Sequence, residues 1–429
     1  MTKNRIKTTG GQTLLIFLCS LVAVTSVRAQ VNPKTAADQA GHELWTKFID
    51  KYGIINDFVG ERPTAMDARL SRPNAFGWWT PIEDGAFFTG LYLGAMCERA
   101  AQTGLQEDKD KARILAQGLL KLSMVSDVPG FIARGVSTDG ITHYPNGSND
   151  QTVPWFYGLY QYLKTDIPSV KEKEIIKAKM TEVIEALRLN DWEFPSDGMY
   201  TGLSRDDLRD NRFLEIPCYL YLLRAMHEVT GNADWLERYK RAAVEVPKGG
   251  TKGRAQISAE GIAYDQDFWK DRKNKSYLWI YVMKTAAMVE LARLEKDPVI
   301  KASYLEGIKK SRDFVIDFAK GYTQFDNKDE KVFGNTDWRA CYTEWFPQFT
   351  IADAIAVSTL RNDAKAGPRK NYERNFMTTP LAAASILALA GNPEDCKLID
   401  EVVGHYNYAK LYLGEFFYAE YAYYHKPCK

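Results

Sequence analysis

Acidic side chains stand in long loops, at points where apolar helices are predicted to begin. Asp84 precedes one apolar run, and Asp150 precedes another, Val153 to Leu163. Asp139 lies earlier in the loop that contains Asp150, in an Asp-Gly pair that is typical of turns. Paired carboxyl groups can hydrolyse glycosidic bonds, because one protonates the leaving oxygen while the other activates water or attacks the anomeric carbon. These three aspartates are therefore candidate catalytic residues.

A structural role is the alternative for two of them. Asp150 falls at or near the N-cap of the following helix, where it would accept backbone N–H bonds worth about 1 kcal/mol. Asp139 could serve only its turn. The sequence leaves both possibilities open.

The same loops carry residues that could hold a sugar. Aromatic rings can stack on sugar rings, and arginine pairs with a carboxylate through two parallel hydrogen bonds, which a neutral sugar would not require. The candidate substrate-binding residues are Trp78, Trp79, Arg134, His143, Tyr144, Gln151, Trp155, Trp338, Arg339 and Glu344. Among them, Arg134 or Arg339 would bind a substrate carboxylate. The acidic segments 205–207 and 264–267 are weaker candidates and are typical of solvated loops.

Neither a metal nor an organic cofactor is expected. The chain has no GxSxG elbow, P-loop, dinucleotide fingerprint or HExxH motif, and its five histidines are well apart. The cysteines form no CxxC pair, which argues against a structural zinc site. Cys97 and Cys218 lie in apolar helical segments and are predicted to be core residues. A bridge between Cys396 and Cys428 would tie down the C-terminal tail.

Helical runs and turn residues alternate along the chain. Glycine is the expected helix stop, because it adopts the left-handed backbone conformation without strain, and Gly104, Gly231 and Gly391 are such stops. The predicted helix pairs are 86–100 with 107–122, 155–164 with 170–187, 213–229 with 235–246, 277–294 with 300–319, and 381–390 with 393–405, together with a less clear unit at 349–361 and flanking helices at 36–52 and 408–423.

These hairpins predict an all-α fold that closes on itself. They recur at irregular spacings of roughly 50 to 65 residues, whereas solenoid repeats are shorter and more regular. The run 213–226 is nearly all apolar, while 171–189 mixes charged residues with an apolar stripe, as expected for inner and outer helices. The predicted fold is an (α/α)6 toroid, formed by residues 30–429 as a single domain. Its long loops would gather at one end and line a cleft.

The first 29 residues are predicted to be a signal peptide. A basic start is followed by the apolar run Leu14 to Val24, which is far short of the roughly 20 residues that span a bilayer. Small residues in Val27-Arg28-Ala29 then precede the expected cleavage site. Lipidation at Cys19 is disfavoured, since Leu18 occupies a position where such sites need a small residue. The expected location is the periplasm or the exterior.

Charge and hydropathy limit the partners. Without the first 29 residues, which carry four basic and no acidic side chains, the formal net charge changes from +1 to −3. The remaining chain has no basic block and no long apolar segment, so we expect neither a nucleic-acid partner nor a membrane span. The expected partner is an oligosaccharide substrate that contains a uronate; the sequence does not predict an oligomeric state.

Two helix-entry segments resemble those of a known family. Residues 83–93, EDGAFFTGLYL, and 149–159, NDQTVPWFYGL, are similar to entries in the six-hairpin glycosidases, above all the unsaturated glucuronyl and rhamnogalacturonyl hydrolases and related uronate-specific enzymes. The resemblance implies an (α/α)6 barrel that acts on terminal uronic acids of oligosaccharides. It also implies that Asp150 is the general acid and that Asp139 or Asp84 is a second essential carboxylate.

The sequence therefore predicts an exo-acting glycoside hydrolase that releases a terminal uronic acid, saturated or 4,5-unsaturated, during polysaccharide breakdown. A polysaccharide lyase is an alternative, in which Tyr144 or His143 abstracts the C5 proton and Asn149 or Arg134 neutralises the uronate. Many toroid lyases carry an additional β-sandwich domain, for which this chain has no room. A non-catalytic carbohydrate-binding protein is a further alternative.

Overall fold

The computed structural model describes residues 32–69, 80–332, 350, 352–353 and 368–428. These residues belong to one compact unit, and most of them are helical. The helices are α1 Pro33–Lys47, α2 Ala65–Arg69, α3 Gly85–Thr103, α4 Gln106–Leu122, α5 Asn149–Leu163, α6 Val170–Leu189, α7 Ile216–Thr230, α8 Ala233–Val244, α9 Arg254–Ser258, α10 Gln266–Lys270, α11 Ile280–Leu294, α12 Pro298–Lys320, α13 Thr379–Ala390, α14 Cys396–Val403 and α15 Tyr418–His425.

Strand structure is confined to one short hairpin in the described part of the chain. Strands β1 (Glu193–Pro195) and β2 (Ser204–Asp207) pair antiparallel, between α6 and α7. A π-helical turn, Arg374–Thr378, leads directly into α13. The predicted all-α class is therefore confirmed.

Helix ends follow the signals that the sequence carries. Gly104, Gly231 and Gly391 take left-handed backbone angles and end α3, α7 and α13. Ser169 begins α6 with a capping box, in which its side chain accepts from the N–H of Glu172 and the Glu172 side chain accepts in return.

Apolar helices pack in a succession that returns to its first member. Helix α3 contacts α5, α5 contacts α7, α7 contacts α11, α11 contacts α13, α13 contacts α15, and α15 contacts α3. A second, more polar set lies against them: α4 on α3, α6 on α5, α8 on α7, α12 on α11, α14 on α13 and α1 on α15. Each apolar helix thus has an amphipathic neighbour, although α12 also contacts α13, and α6 also contacts α7.

The pairing of α1 with α15 differs from the predicted one. The less clear predicted unit at 349–361 lies almost entirely outside the described residues. The first and last described helices, which were predicted to flank the hairpins, contact each other. Helix α15 also begins ten residues after the predicted start at 408, because residues 408–410 and 414–417 form short 3-10 turns instead.

The predicted disulfide is present, since Cys396 and Cys428 are bonded and their Cα atoms lie 6.3 Å apart. Cys97 and Cys218 are buried thiols in the apolar core, as predicted. Among the described residues, none of the helices combines the length and the apolar character that crossing a membrane requires.

Candidate active site

Helices α3 and α5 pack closely together and bring Asp84 and Asp150 near enough for the charge of Asp150 to raise the pKa of Asp84. Helices α3 and α5 approach through glycines: a Cβ on Gly90 would lie 2.1 Å from the carbonyl oxygen of Pro154, and one on Gly158 would lie 2.6 Å from that of Gly90. Such contacts exclude any larger side chain. Asp84 immediately precedes α3, and Asp150 is the second residue of α5. The starts of the two helices are thereby fixed next to each other.

Asp84 is buried in a network of donors. Its Oδ1 accepts hydrogen bonds from Arg134 Nη1 at 3.1 Å and from Gln151 Nε2 at 2.9 Å. Its backbone N–H donates to Asp57 Oδ1 at 2.9 Å. Burial raises the pKa of Asp84 to about 7, with the Glu83 charge adding to the effect and Arg134 opposing it. This carboxyl group can therefore carry or lose a proton near neutral pH.

The guanidinium of Arg134 is engaged within the protein. Besides Asp84 it donates to the carbonyl oxygens of Asn146 at 3.2 Å and Glu83 at 3.1 Å, and to Ser148 Oγ at 2.9 Å. The side chain is only 4% exposed. The predicted binding of a substrate carboxylate by Arg134 is therefore at odds with its placement, and its contacts instead orient Asp84.

The Asp150 side chain does not cap helix α5. The N-cap of α5 is Ser148, and the Asp150 carboxylate accepts no hydrogen bond from the described residues. Its side chain is 27% exposed, and its inner oxygen, Oδ1, lies 3.9 Å from Nζ of the fully buried Lys284. The capping alternative for Asp150 is therefore wrong. A partly exposed carboxylate without a structural hydrogen bond is available to a substrate.

The Asp139 side chain stabilises the turn in which it lies. Its carboxylate accepts four hydrogen bonds from within residues 137–142: from Ser137 Oγ, from the N–H groups of Ile141 and Thr142, and from Thr142 Oγ1. Partial burial works against the charged form, but these bonds together hold the pKa of Asp139 well below its usual range. A group whose pKa is held low by four local hydrogen bonds is a poor proton donor, so Asp84 is the better partner for Asp150.

The other predicted binding residues in this loop are mostly occupied. His143 contacts the carbonyl oxygen of Ile141 through Nδ1 at 2.7 Å and Asp197 Oδ2 through Nε2 at 2.8 Å. Tyr144 is buried, and burial raises the pKa of its hydroxyl well above the usual value. Gln151 bridges Asp84 and the N–H of Phe87.

Trp155 cannot stack on a sugar. Its side chain is completely buried, and its indole Nε1 donates to the carbonyl oxygen of Leu119 at 2.8 Å. The prediction that it binds substrate is therefore wrong, and it is a core residue between α5 and α4. Five further predicted binding residues lie outside the described residues: Trp78, Trp79, Trp338, Arg339 and Glu344.

Two fully buried charged residues that were not predicted complete the site. Glu215, at the start of α7, accepts a hydrogen bond from Asn149 Nδ2 at 2.6 Å, and Lys284 lies on α11. Burial raises the pKa of Glu215 to about 7, with Lys284 and Asn149 opposing the shift. The sequence did offer a signal for Lys284, because it is the one charged residue in the apolar run 278–289.

Asp206 lies in a segment predicted to be a solvated loop, but its side chain is only partly exposed. It is a non-glycine residue with φ +58°, in strand β2. Burial raises its pKa, Arg205 opposes that effect, and the neighbouring Asp150 adds to it. Asp206 therefore belongs to the group of carboxylates around Asp150.

The π-helical turn Arg374–Thr378 contributes a cation, Arg374, to the surroundings of Asp84. Arg374 pairs with Glu415 at 2.8 Å, and its charge is one of the influences that lower the pKa of Asp84. Glu415 also accepts from Thr378 Oγ1 at 2.5 Å. The loops that precede α3, α5, α7, α13 and α15 thus all contribute polar side chains to one region.

A cavity of about 610 Å³ adjoins this region at the start of α7. Its lining residues are Asn211, Arg212, Lys252, Glu260, Ala263, Tyr264, Asp265, Gln266, Asp267 and Phe268. Arg212 Nη2 lies 3.6 Å from Glu215 Oε1, which is the contact between the cavity lining and the carboxylate group, while Asp84 and Asp150 do not line the cavity.

Most charges in this cavity are already compensated. Glu260 pairs with Lys252 at 2.5 Å, and Asp267 with Lys270 at 2.5 Å. Asp265 accepts from two backbone N–H groups and from Tyr281. Arg212 is bonded through Nε to Asp210, while its Nη1 has no hydrogen-bond partner among the described residues. It is therefore the lining cation best able to bind an anion.

Comparisons with known proteins add no assignment: no family model matches the chain, and neither a curated protein nor a solved structure matches it.

Proposed function

We propose that this protein is an exo-acting glycoside hydrolase that releases a terminal uronic acid, saturated or 4,5-unsaturated, from oligosaccharides. The observation that carries the proposal is the pair Asp84 and Asp150 at the starts of two tightly packed helices. One is buried among hydrogen-bond donors with a pKa of about 7, and the other is partly exposed and free of structural hydrogen bonds. Two carboxyl groups in different environments are the requirement of acid–base hydrolysis.

We also propose that the succession of helix contacts closes an (α/α)6 toroid, with α1 and α15 as its sixth pair. The loops before the inner helices would then meet at one end, which accounts for the clustering of Asp84, Asp150, Glu215 and Arg374. The resemblance of the helix-entry segments to the six-hairpin glycosidases supports the same architecture. The first 29 residues would act as a signal peptide, with activity in the periplasm or outside the cell.

The chemistry requires one proton donor and one proton acceptor. A carboxylic acid gives its proton to the glycosidic oxygen as the bond to the anomeric carbon breaks. A carboxylate takes a proton from the water that adds to the sugar, or it attacks the sugar first. Asp84 and Asp150 supply both groups, and the donors on Asp84 fix its orientation.

Arg212 is the proposed recognition residue for the uronate carboxylate. It replaces Arg134, whose donors are engaged internally, and it lines a cavity large enough for a sugar unit. Tyr264 and Phe268 offer aromatic surface in the same cavity. A guanidinium that keeps free donors can grip a carboxylate through two hydrogen bonds.

The placement of the candidate bases favours hydrolysis over elimination. A lyase would need Tyr144 or His143 to abstract the C5 proton. Tyr144 is buried, and both ring nitrogens of His143 are engaged.

Product analysis on a panel of uronate-terminated oligosaccharides tests the proposal. We expect release of free uronate from a saturated end, or loss of ultraviolet absorbance from a 4,5-unsaturated end. New ultraviolet absorbance would identify a lyase, and binding without turnover would identify a carbohydrate-binding protein. Either result would overturn the proposal.

A further inference from the structure

Lys284 is an ammonium group sealed inside the protein. Its side chain has no exposed surface, and no oxygen in the described part of the chain accepts a hydrogen bond from its Nζ, which lies beside the thiol of Cys218. The nearest carboxylate oxygen is Asp150 Oδ1, at 3.9 Å, which is likewise buried and without a hydrogen bond. These two atoms face each other at the base of the proposed active site.

A buried ammonium requires a compensating negative charge, because an isolated buried charge is very costly. Asp150 and Glu215 are the carboxylates that act on Lys284, together with the thiol of Cys218. Glu215 is a poor counter-ion, since complete burial leaves its pKa at about 7 and Asn149 occupies its Oε1. Asp150 is therefore the group best placed to balance Lys284.

We propose that Lys284 is a positioning residue that holds Asp150 as a carboxylate, so that Asp150 is the proton acceptor of the reaction and Asp84 the proton donor. This assignment rests on the proposed function. It reverses the roles that the family resemblance implies, in which Asp150 is the acid.

Other charges around Asp150 do not provide the same stabilisation. Carboxyls approach it from α3 (Asp84) and β2 (Asp206), the thiol of Cys218 from α7, and the phenol of Tyr418 from α15. Each of these is neutral or negative. Arg134, Arg205 and Arg212 act on the neighbouring Asp206, and Lys284 is distinguished by its distance, with Nζ 3.9 Å from Asp150 Oδ1.

The reaction balances with these roles. Asp84 transfers its proton to the glycosidic oxygen as the carbon–oxygen bond breaks, and water forms the new bond to the anomeric carbon. The proton that this water loses passes to Asp150. Asp150 then releases it to solvent, and Asp84 takes up another, which restores both groups.

The pH dependence of kcat/KM in Lys284→Met distinguishes the two assignments. If Asp150 is the acceptor, loss of the nearby cation favours its protonated form. The acidic limb of the profile should then move to higher pH by about one to three units, the usual effect of an opposite charge at this range. If Asp150 were the donor, the alkaline limb would move instead, and that result would overturn the assignment. Lys284→Arg should restore much of the wild-type profile.

Lys164→Met is the matched control. Lys164 pairs with Glu290 at 2.8 Å, at the opposite end of α5. Removing this lysine, which is 34% exposed, breaks a lysine–carboxylate ion pair without touching the proposed site. Neither limb of its pH profile should move, and an equal shift in both methionine variants would contradict a specific role for Lys284.

A measurement on the wild-type protein covers the case in which Lys284→Met does not fold. Carbon-13 NMR of labelled aspartate carboxyls, with Asp150→Asn for assignment, should show Asp150 as an ionised carboxylate at pH 7. A neutral Asp150 at that pH would overturn the proposal. Because this readout needs no substrate, an ionised Asp150 in a protein that turns over none of the panel would mean that the proposed function fails while the assigned charge state of Asp150 stands.

Discussion

The Asp84 carboxyl group is buried, and burial raises its pKa to about 7, so that it ionises near neutral pH. A raised pKa means that the folded state binds a proton more tightly than the unfolded chain does, since an unperturbed aspartate titrates near pH 3.9. Its contribution to stability is therefore least unfavourable below about pH 4 and worsens as the pH rises towards 7, where the folded-state group ionises.

Asp84→Asn should consequently stabilise the protein at pH 8 and have little effect at pH 4 to 5. Asparagine keeps an acceptor for Arg134 and Gln151 but removes the buried charge. Melting temperatures at the two pH values measure the difference, which we expect to be a few degrees at pH 8. The same variant should lose most of its activity, because it removes the proposed proton donor. A stability gain that is equal at both pH values would contradict the raised pKa.

Arg212 offers a test of substrate charge. Arg212→Leu should reduce turnover of a uronate-terminated substrate at least ten-fold more than that of the matching neutral sugar, because only the uronate presents a carboxylate to the guanidinium.

Arg209→Leu is the control for Arg212. Arg209 lies in the same loop, but its guanidinium is paired with Asp191 and Asp207. It should affect both substrates alike. Equal losses on the two substrates in Arg212→Leu would remove this arginine from uronate recognition.

The α3–α5 contact connects packing to chemistry at the scale of elements. Gly90→Ala would place a methyl group against the backbone of α5, where backbone cannot move aside as a side chain can. We expect a loss of about 1–3 kcal/mol in stability from overpacking. We also expect at least a ten-fold fall in kcat, because the starts of α3 and α5 would separate.

Gly104→Ala is the matched control on the same helix. Its φ of +67° makes alanine strained, by about 1–2 kcal/mol, but a Cβ there meets nothing within 4 Å. Its activity should stay within two-fold of wild type at temperatures where it is folded. Comparable activity losses in both variants would show that general destabilisation, and not helix spacing, lowers kcat.

Sequence patterns predicted the elements better than the contacts between side chains. Apolar runs and glycine stops located the helix pairs, because periodicity and left-handed turns are local properties. The roles of Arg134, Asp139 and Trp155 depended on which partner each side chain meets. Those partners come from loops and helices distant in sequence, such as Asp84 for Arg134 and Leu119 for Trp155. For the same reason the sequence did not indicate Glu215, whose contact with Asn149 depends on how α5 and α7 pack.

At the scale of the molecule, one arginine joins the first and last described helices to the rest. Arg99 on α3 lies 2.5 Å from Glu420 on α15, 2.8 Å from Asp108 on α4 and 3.5 Å from Asp38 on α1. Glu420 is fully buried and also accepts from Tyr92. This cluster links α1 and α15 to each other and to α3 and α4.

Arg99→Met should lower stability by about 3–5 kcal/mol, since it leaves buried carboxylates without their cation. Heating wild type and variant under circular dichroism should give one helical transition in each, at a lower temperature in the variant. Two separated transitions in the wild type would contradict a single closed domain.

The proposed hydrolase activity depends most directly on Asp150. Asp150→Asn removes the carboxylate, and kcat on a uronate-terminated oligosaccharide should fall by about 10²–10⁴-fold, the range typical of acid–base groups. Asp139→Asn, in the same loop, should keep kcat within a few fold even if its turn is weakened. Circular dichroism at the assay temperature must show both variants folded. A folded Asp150→Asn protein with near-normal kcat would contradict the catalytic role of Asp150.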